Sequence, residues 1–146
     1  RGLGDVTKRQ TYGFQIPTDW LELNPTCHHT EKELSPLADK FFGGSPDKEF
    51  KHREPWLFYV WGHSYEFDDN GNWDIIEGLG KRAAENDGEI WFATNIEIYD
   101  YVQAYNRLVF SLDGERVCNP AAVDVWIELR GKTYKIGAGK TVAFDK

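Results

Sequence analysis

Residues 56–67 read Trp56-Leu57-Phe58-Tyr59-Val60-Trp61-Gly62-His63-Ser64-Tyr65-Glu66-Phe67. The stretch opens as an almost unbroken apolar and aromatic run between Pro55 and Gly62. A short run with such boundaries reads as a strand buried on both faces, the kind that parallel α/β sheets and barrels require. Beyond Gly62 the apolar character stops and His63, Ser64 and Glu66 follow. Parallel α/β folds place their chemistry at the C-terminal ends of strands. Strand alternation puts Leu57, Tyr59, Trp61 and His63 on one face, which would set His63 at the mouth of a barrel.

Working outward, the chain alternates strand and helix signals. Tyr12 to Ile16 is a short strand candidate stopped by Pro17. Trp20 to Thr26 is a second, ending in Cys27-His28-His29. Thr30 to Phe42 reads as a helix: Thr30 and Glu33 have capping-box spacing, and Leu34, Leu37, Ala38 and Phe41 share one face. Residues 45–55 are charged and read as an exposed loop. Phe67 to Gly71 reads as a turn, with Asn70-Gly71 as its signal. Asn72 is placed to cap a helix from Trp73 to about Glu85, with Trp73, Ile76, Leu79 and Ala83 as its stripe. Glu89 to Ala93 reads as a third buried strand. Thr94 and Glu97 repeat the capping box ahead of a helix reaching Leu108, striped by Ile98, Tyr101, Val102 and Tyr105.

After Leu108 the grammar changes. Val109 to Asn119 reads as a hairpin around Asp113-Gly114, and Val123–Leu129, Thr133–Ile136 and Thr141–Phe144 as further strands. The expected organisation is a partial (β/α) barrel over residues 1–108 and an antiparallel β appendage of the same domain over residues 109–146. The three strands that alternate with helices over residues 20–108 are too few to close a barrel.

Several motifs carry a resemblance: Trp61-Gly62-His63-Ser64-Tyr65-Glu66-Phe67, the helical Trp73, the run Ile90-Trp91-Phe92-Ala93-Thr94-Asn95-Ile96-Glu97-Ile98-Tyr99-Asp100-Tyr101, and Asn24-Pro25-Thr26-Cys27-His28-His29. Together they resemble the C-terminal half of a bacterial polysaccharide deacetylase-family protein, a carbohydrate esterase, over most of residues 11–142. The resemblance implies a distorted (β/α) barrel and metal-dependent removal of acetyl groups from N-acetylated sugars. It implies that His63 is the general acid, and that a divalent metal such as zinc is held by an Asp and a His-x-x-x-His motif in the N-terminal half. Neither that motif nor an Asp-Asp pair in a Thr-Phe-Asp-Asp-Gly context occurs here. The expectation is therefore a chain that lacks the metal-binding half, binds no metal and is inactive by itself. It would work with that missing half or by self-association. The family's Asp-containing motif that orients the catalytic His is replaced by Asn24-Pro25-Thr26-Cys27-His28-His29, leaving the orienting partner of His63 open.

Composition narrows the partners. The 146 residues suit one domain with a real core, and a formal charge of −7 argues against a nucleic-acid partner, which needs a basic surface. No run approaches a transmembrane length. Cys27 and Cys118 lie far apart and read as free thiols, which favours a reducing, cytoplasmic compartment. The chain begins with Arg1, so secretion stays open.

Candidate residues follow from chemistry. An imidazole near neutral pKa protonates a leaving amine, which suits His63 for acid catalysis; the bland alternative is a histidine that ends a strand with a hydrogen bond. Trp20, Trp61 and Tyr65 are candidate sugar-stacking surfaces. His28 and Glu66 are candidate substrate-binding groups, and Glu66 is also a candidate to orient His63. On a strand His28 and His29 would face opposite ways. Two ligands do not make a zinc site. Asp68 and Asp69 read as a solvated turn. Trp56, Phe58, Trp73, Trp91 and Phe92 are assigned to the core, and Trp126 to either core or cleft. Two other readings compete with the esterase: a non-catalytic glycan-binding module, and a structural subdomain that associates through strand edges.

Overall fold

A computed structural model of the chain describes residues 10–43, 55–86, 88 and 90–145. The charged loop expected at residues 45–55 lies, apart from Pro55, outside the described residues. Helix and strand are mixed, and the described strands form no closed barrel. The chain divides into two compact units, Arg1–Trp91 and Phe92–Lys146.

The first unit is built on one parallel strand pair. β1 (Cys27–His28) pairs with β2 (Val60–Trp61) in the register Cys27 to Val60 and His28 to Trp61. The long run at 56–61 is laddered only at its end, and it is half-buried rather than buried on both faces. Its earlier residues face an aromatic cluster. Phe14 stacks on Trp56 at 5.0 Å between ring centroids and meets Phe58 edge-on at 5.8 Å. Phe41 closes the group at 5.1 Å from Phe58. Tyr12–Ile16 makes no ladder; it runs alongside, with Tyr12 N–H donating to the Thr26 carbonyl and Leu57 N–H to the Phe14 carbonyl.

The helices of this unit depart from expectation in instructive ways. α1 (Leu34–Phe42) starts four residues after Thr30, and Glu33, not Thr30, is its N-cap. Pro36 falls in the first turn, where a missing N–H costs no intrahelical bond. The turn expected at Phe67–Gly71 is instead the end of α2 (Ser64–Asn70), closed by Gly71 at φ 60°, the left-handed conformation that glycine accepts readily. α3 (Asp74–Ala84) follows, with Ala83 buried and Trp73 43% exposed at its N-cap. Arg82 bonds Asp39 of α1 at 2.9 Å, joining the two helices. The strand expected at Glu89–Ala93 is absent from the described residues there. Trp91 and Phe92 are 57% and 63% exposed, so neither belongs to the core.

In the second unit, α4 (Asn95–Asn106) begins with the expected capping box. The Thr94 hydroxyl accepts from Glu97 N–H, and the Glu97 carboxylate accepts from Thr94 N–H at 2.7 Å. This helix, expected with the barrel, packs on the strands that follow it. Ala104 is buried with Val117, Val125, Ile127 and Ile136, and the Tyr101 hydroxyl accepts from Trp126 N–H at 3.1 Å. β3 (Val109–Phe110), β4 (Arg116–Cys118) and β7 (Thr141–Ala143) form one antiparallel sheet in the order β3-β4-β7; β5 (Val125–Leu129) and β6 (Lys132–Ile136) form a hairpin. Alternation in β5 buries Val125 and Ile127 and leaves Trp126 outward, stacked on Tyr101.

Asn119 fastens this unit. It is fully buried, donating from Nδ2 to the Val123 carbonyl at 2.8 Å and the Ile136 carbonyl at 3.0 Å, and accepting at Oδ1 from Ala121 N–H at 3.0 Å. Buried polar groups left unpaired cost about 1–3 kcal/mol each. Asn119→Ala should therefore lower unfolding stability by at least about 2 kcal/mol in urea denaturation; a loss within experimental error would contradict this role.

Asp124 holds the 137–139 loop by accepting from Ala138 N–H at 2.9 Å, and it pairs with Lys135 at 2.7 Å. Lys135 first, then the Ala138 N–H, keep its carboxyl below the usual range. A carboxyl depressed in the folded state contributes stability above its unfolded pKa of about 3.9 and loses it as pH falls through the folded value. The thermal midpoint of the wild type should accordingly fall more steeply below about pH 4 than that of Asp124→Asn. Equal slopes would remove Asp124 from the acid response.

Candidate functional site

β1 and β2 end side by side because Thr26 ties them. Its N–H donates to the Tyr59 carbonyl at 2.7 Å, and its hydroxyl accepts from Tyr59 N–H at 3.1 Å. One residue past β1, His29 N–H donates to the Trp61 carbonyl at 3.0 Å. The chain then turns at His29 and Thr30, and strand alternation ends there. Contrary to the alternation expected from sequence, His28 and His29 do not face opposite ways: their rings lie 4.4 Å apart.

Both rings turn toward one carboxylate. Oε2 of Glu66 lies 3.3 Å from His28 Nε2 and 3.7 Å from His29 Nε2, and accepts from the His63 N–H at 2.9 Å. That last bond is a capping contact at the start of α2, where His63 is the N-cap and Glu66 stands three residues on. Glu66 is therefore held to the backbone of His63, not to its ring. The His63 bond is the main reason its carboxyl sits below the usual range; partial burial opposes it, and the three histidines reinforce it.

Aromatic packing fixes the imidazoles. His28 meets Trp61 edge-on at 4.5 Å, and His29 lies 4.2 Å from Phe67. Burial, then the neighbouring His29, push His28 below its ordinary value, while Glu66 pulls the other way. His28 Nδ1 lies 2.8 Å from the Thr30 hydroxyl and 3.2 Å from Thr30 N. The His63 ring is exposed and stacks on Tyr65 at 5.2 Å with 17° between planes. Tyr65 itself is 58% exposed. Cys27, though adjacent, takes no part in the group. Burial, then Glu31 and Glu33, push its thiol up to about 11, so it stays protonated at neutral pH.

Of the residues expected at a site, His28, Trp61, His63, Tyr65 and Glu66 are gathered at the ends of β1 and β2. Trp20 is half-buried in a turn after Asp19, on a separate segment. Asp68 is no free solvated carboxylate: it accepts from the Trp73 indole N–H at 2.8 Å. Thr30 was missed as a site residue, and His29 was set apart from His28 because alternation was expected to turn the two rings opposite ways. No family model, curated protein or solved structure matches this chain.

The divalent metal implied by the resemblance can be tested against these residues. Its expected ligands, an Asp in a Thr-Phe-Asp-Asp-Gly context and a His-x-x-x-His pair, do not occur in the sequence, so the residues present do not fit that centre. The one group of three metal-capable side chains found among the described residues is a different set, His28, His29 and Glu66.

Gly62 fits this arrangement closely. A Cβ there would overlap the His29 ring at Nδ1, and that ring is held between His28 and Phe67. Gly62→Ala should displace His29 and cost about 1–3 kcal/mol of stability, as overpacking does. The changed His29 ring signals in an NMR spectrum would report it; unchanged signals would contradict the contact.

Proposed function

We propose that this chain supplies the acid–base and sugar-binding part of a polysaccharide deacetylase-like hydrolase acting on N-acetylated glycans. The observation that carries this reading is the gathering of His28, His29, His63 and Glu66 where two parallel strands end. In amide hydrolysis the C–N bond breaks, acetate leaves with the water oxygen, and the sugar nitrogen takes a proton. His63 suits the last role, because its imidazole is exposed and its backbone is fixed by Glu66. Tyr65, stacked on His63 and largely exposed, offers a ring face to a sugar beside the acid. His28 and Glu66 stand behind them, with Nε2 and Oε2 3.3 Å apart. Activation of water would need a metal and a base whose motifs do not occur in these 146 residues.

The same exposed Tyr65 supports a second reading, a glycan-binding module without hydrolysis. Acetate release separates the two. The chain by itself should bind N-acetylated chito-oligomers without releasing acetate, and Tyr65→Ala should weaken binding about tenfold, on the scale of one lost aromatic contact. When the chain is joined to a segment carrying the Asp and His-x-x-x-His motifs, acetate release should appear. His63→Gln should then lower kcat by about 10²–10⁴ with little change in KM. Activity insensitive to His63 would contradict the acid assignment, and binding without any release in the joined protein would favour the module.

A further inference from the structure

We propose that His28, His29 and Glu66 form a divalent-metal site of zinc-like preference within this chain. The inference stands on geometry and is independent of the deacetylase reading, whose metal ligands are a different set.

The donor atoms of these three side chains all lie within 4.8 Å of one another. Around a tetrahedral zinc with bonds of about 2.0–2.1 Å, ligand atoms stand about 3.3–3.4 Å apart. The two separations from Glu66 Oε2, 3.3 Å to His28 Nε2 and 3.7 Å to His29 Nε2, are close to that already. The two imidazoles offer nitrogens within 4.8 Å of each other.

His29 supplies a second, independent observation. It is 3% exposed, yet neither ring nitrogen has a hydrogen-bond partner among the described residues. Buried polar atoms are nearly always satisfied, and one that is not calls for a partner. Its Nε2 is directed toward the carboxylate, where a cation would complete its coordination.

His28 carries the support that metal-bound histidines usually have. With Nδ1–H donating to the Thr30 hydroxyl at 2.8 Å, the Nε2 lone pair is free on the Glu66 side. The other tautomer, with Nδ1 accepting from Thr30 N–H at 3.2 Å, would spend Nε2–H on Glu66 and exclude a metal. The Thr30 hydroxyl both donates and accepts, so its 2.8 Å contact serves either tautomer; metal binding selects the one with Nδ1 protonated. Two imidazoles and one carboxylate suit zinc, and cobalt or nickel after it, rather than calcium or magnesium, which take oxygen ligands. Three protein ligands leave a fourth position for water or another oxygen donor.

The test is calorimetric titration of the chelator-treated chain with zinc, followed by cobalt with its visible spectrum as the report of four-coordination. Saturable binding at one site is expected. Glu66→Gln and His29→Ala should each weaken it at least about tenfold, and Thr30→Val about 10–100-fold, the range for loss of an outer-shell partner. Circular dichroism checks that each variant is folded; if His29→Ala is not, Glu66→Gln, which preserves shape, decides. Absence of zinc binding would overturn the site. So would binding unchanged by Glu66→Gln, since the ion would then be held elsewhere.

Discussion

The candidate site depends on one small parallel pairing, and that pairing depends on Thr26. This residue is nearly fully buried, and its backbone and hydroxyl both engage Tyr59. A hydroxyl accepting a backbone N–H in place of a ladder bond lets β1 and β2 begin at Cys27 and Val60 without leaving Tyr59 N–H unpaired. Because the strands are parallel, both C-terminal ends point the same way. Cys27-His28-His29 and Trp61-Gly62-His63 therefore meet, although more than thirty residues of sequence separate them.

What meets there is governed by a single carboxylate. Glu66 is tied to the first turn of α2 by the His63 N–H, so it cannot move away from the two imidazoles without uncapping the helix. Its negative charge is favoured by that helix start and by the histidines, while the histidines are desolvated by Trp61, Phe67 and each other. The result separates two environments. His28 and His29 are enclosed; His63 is exposed beside Tyr65.

The legible parts of this fold were local ones. Thr94 with Glu97 specified the start of α4 because both halves of a capping box lie within four residues, and Asp113-Gly114 marked the hairpin for the same reason. His63 and Glu66 could be singled out because they follow an apolar run. The capping contact between them was hidden, since Ser64-Tyr65-Glu66-Phe67 has no helical stripe to announce α2. His28 and His29 were placed on opposite faces because alternation was assumed to continue, whereas the turn at His29 ends it. Trp91 and Phe92 looked like core by hydrophobicity alone, but no described strand ladder enlists them and they stay exposed. Asn119 had no signal in the sequence: its bonds join carbonyls up to seventeen residues away, which only the folded β5–β6 hairpin brings together.

The measurement that tests the account most directly is a set of nuclear Overhauser contacts in the selectively histidine- and tryptophan-labelled chain. The parallel pairing predicts cross-peaks between the His28 and Trp61 rings, between the His29 ring and Phe67, and between the His29 ring and the Gly62 α-protons. Their absence in a folded chain, with His28 and His29 showing the signals of solvent-exposed imidazoles, would contradict the juxtaposition on which every functional proposal for this protein rests.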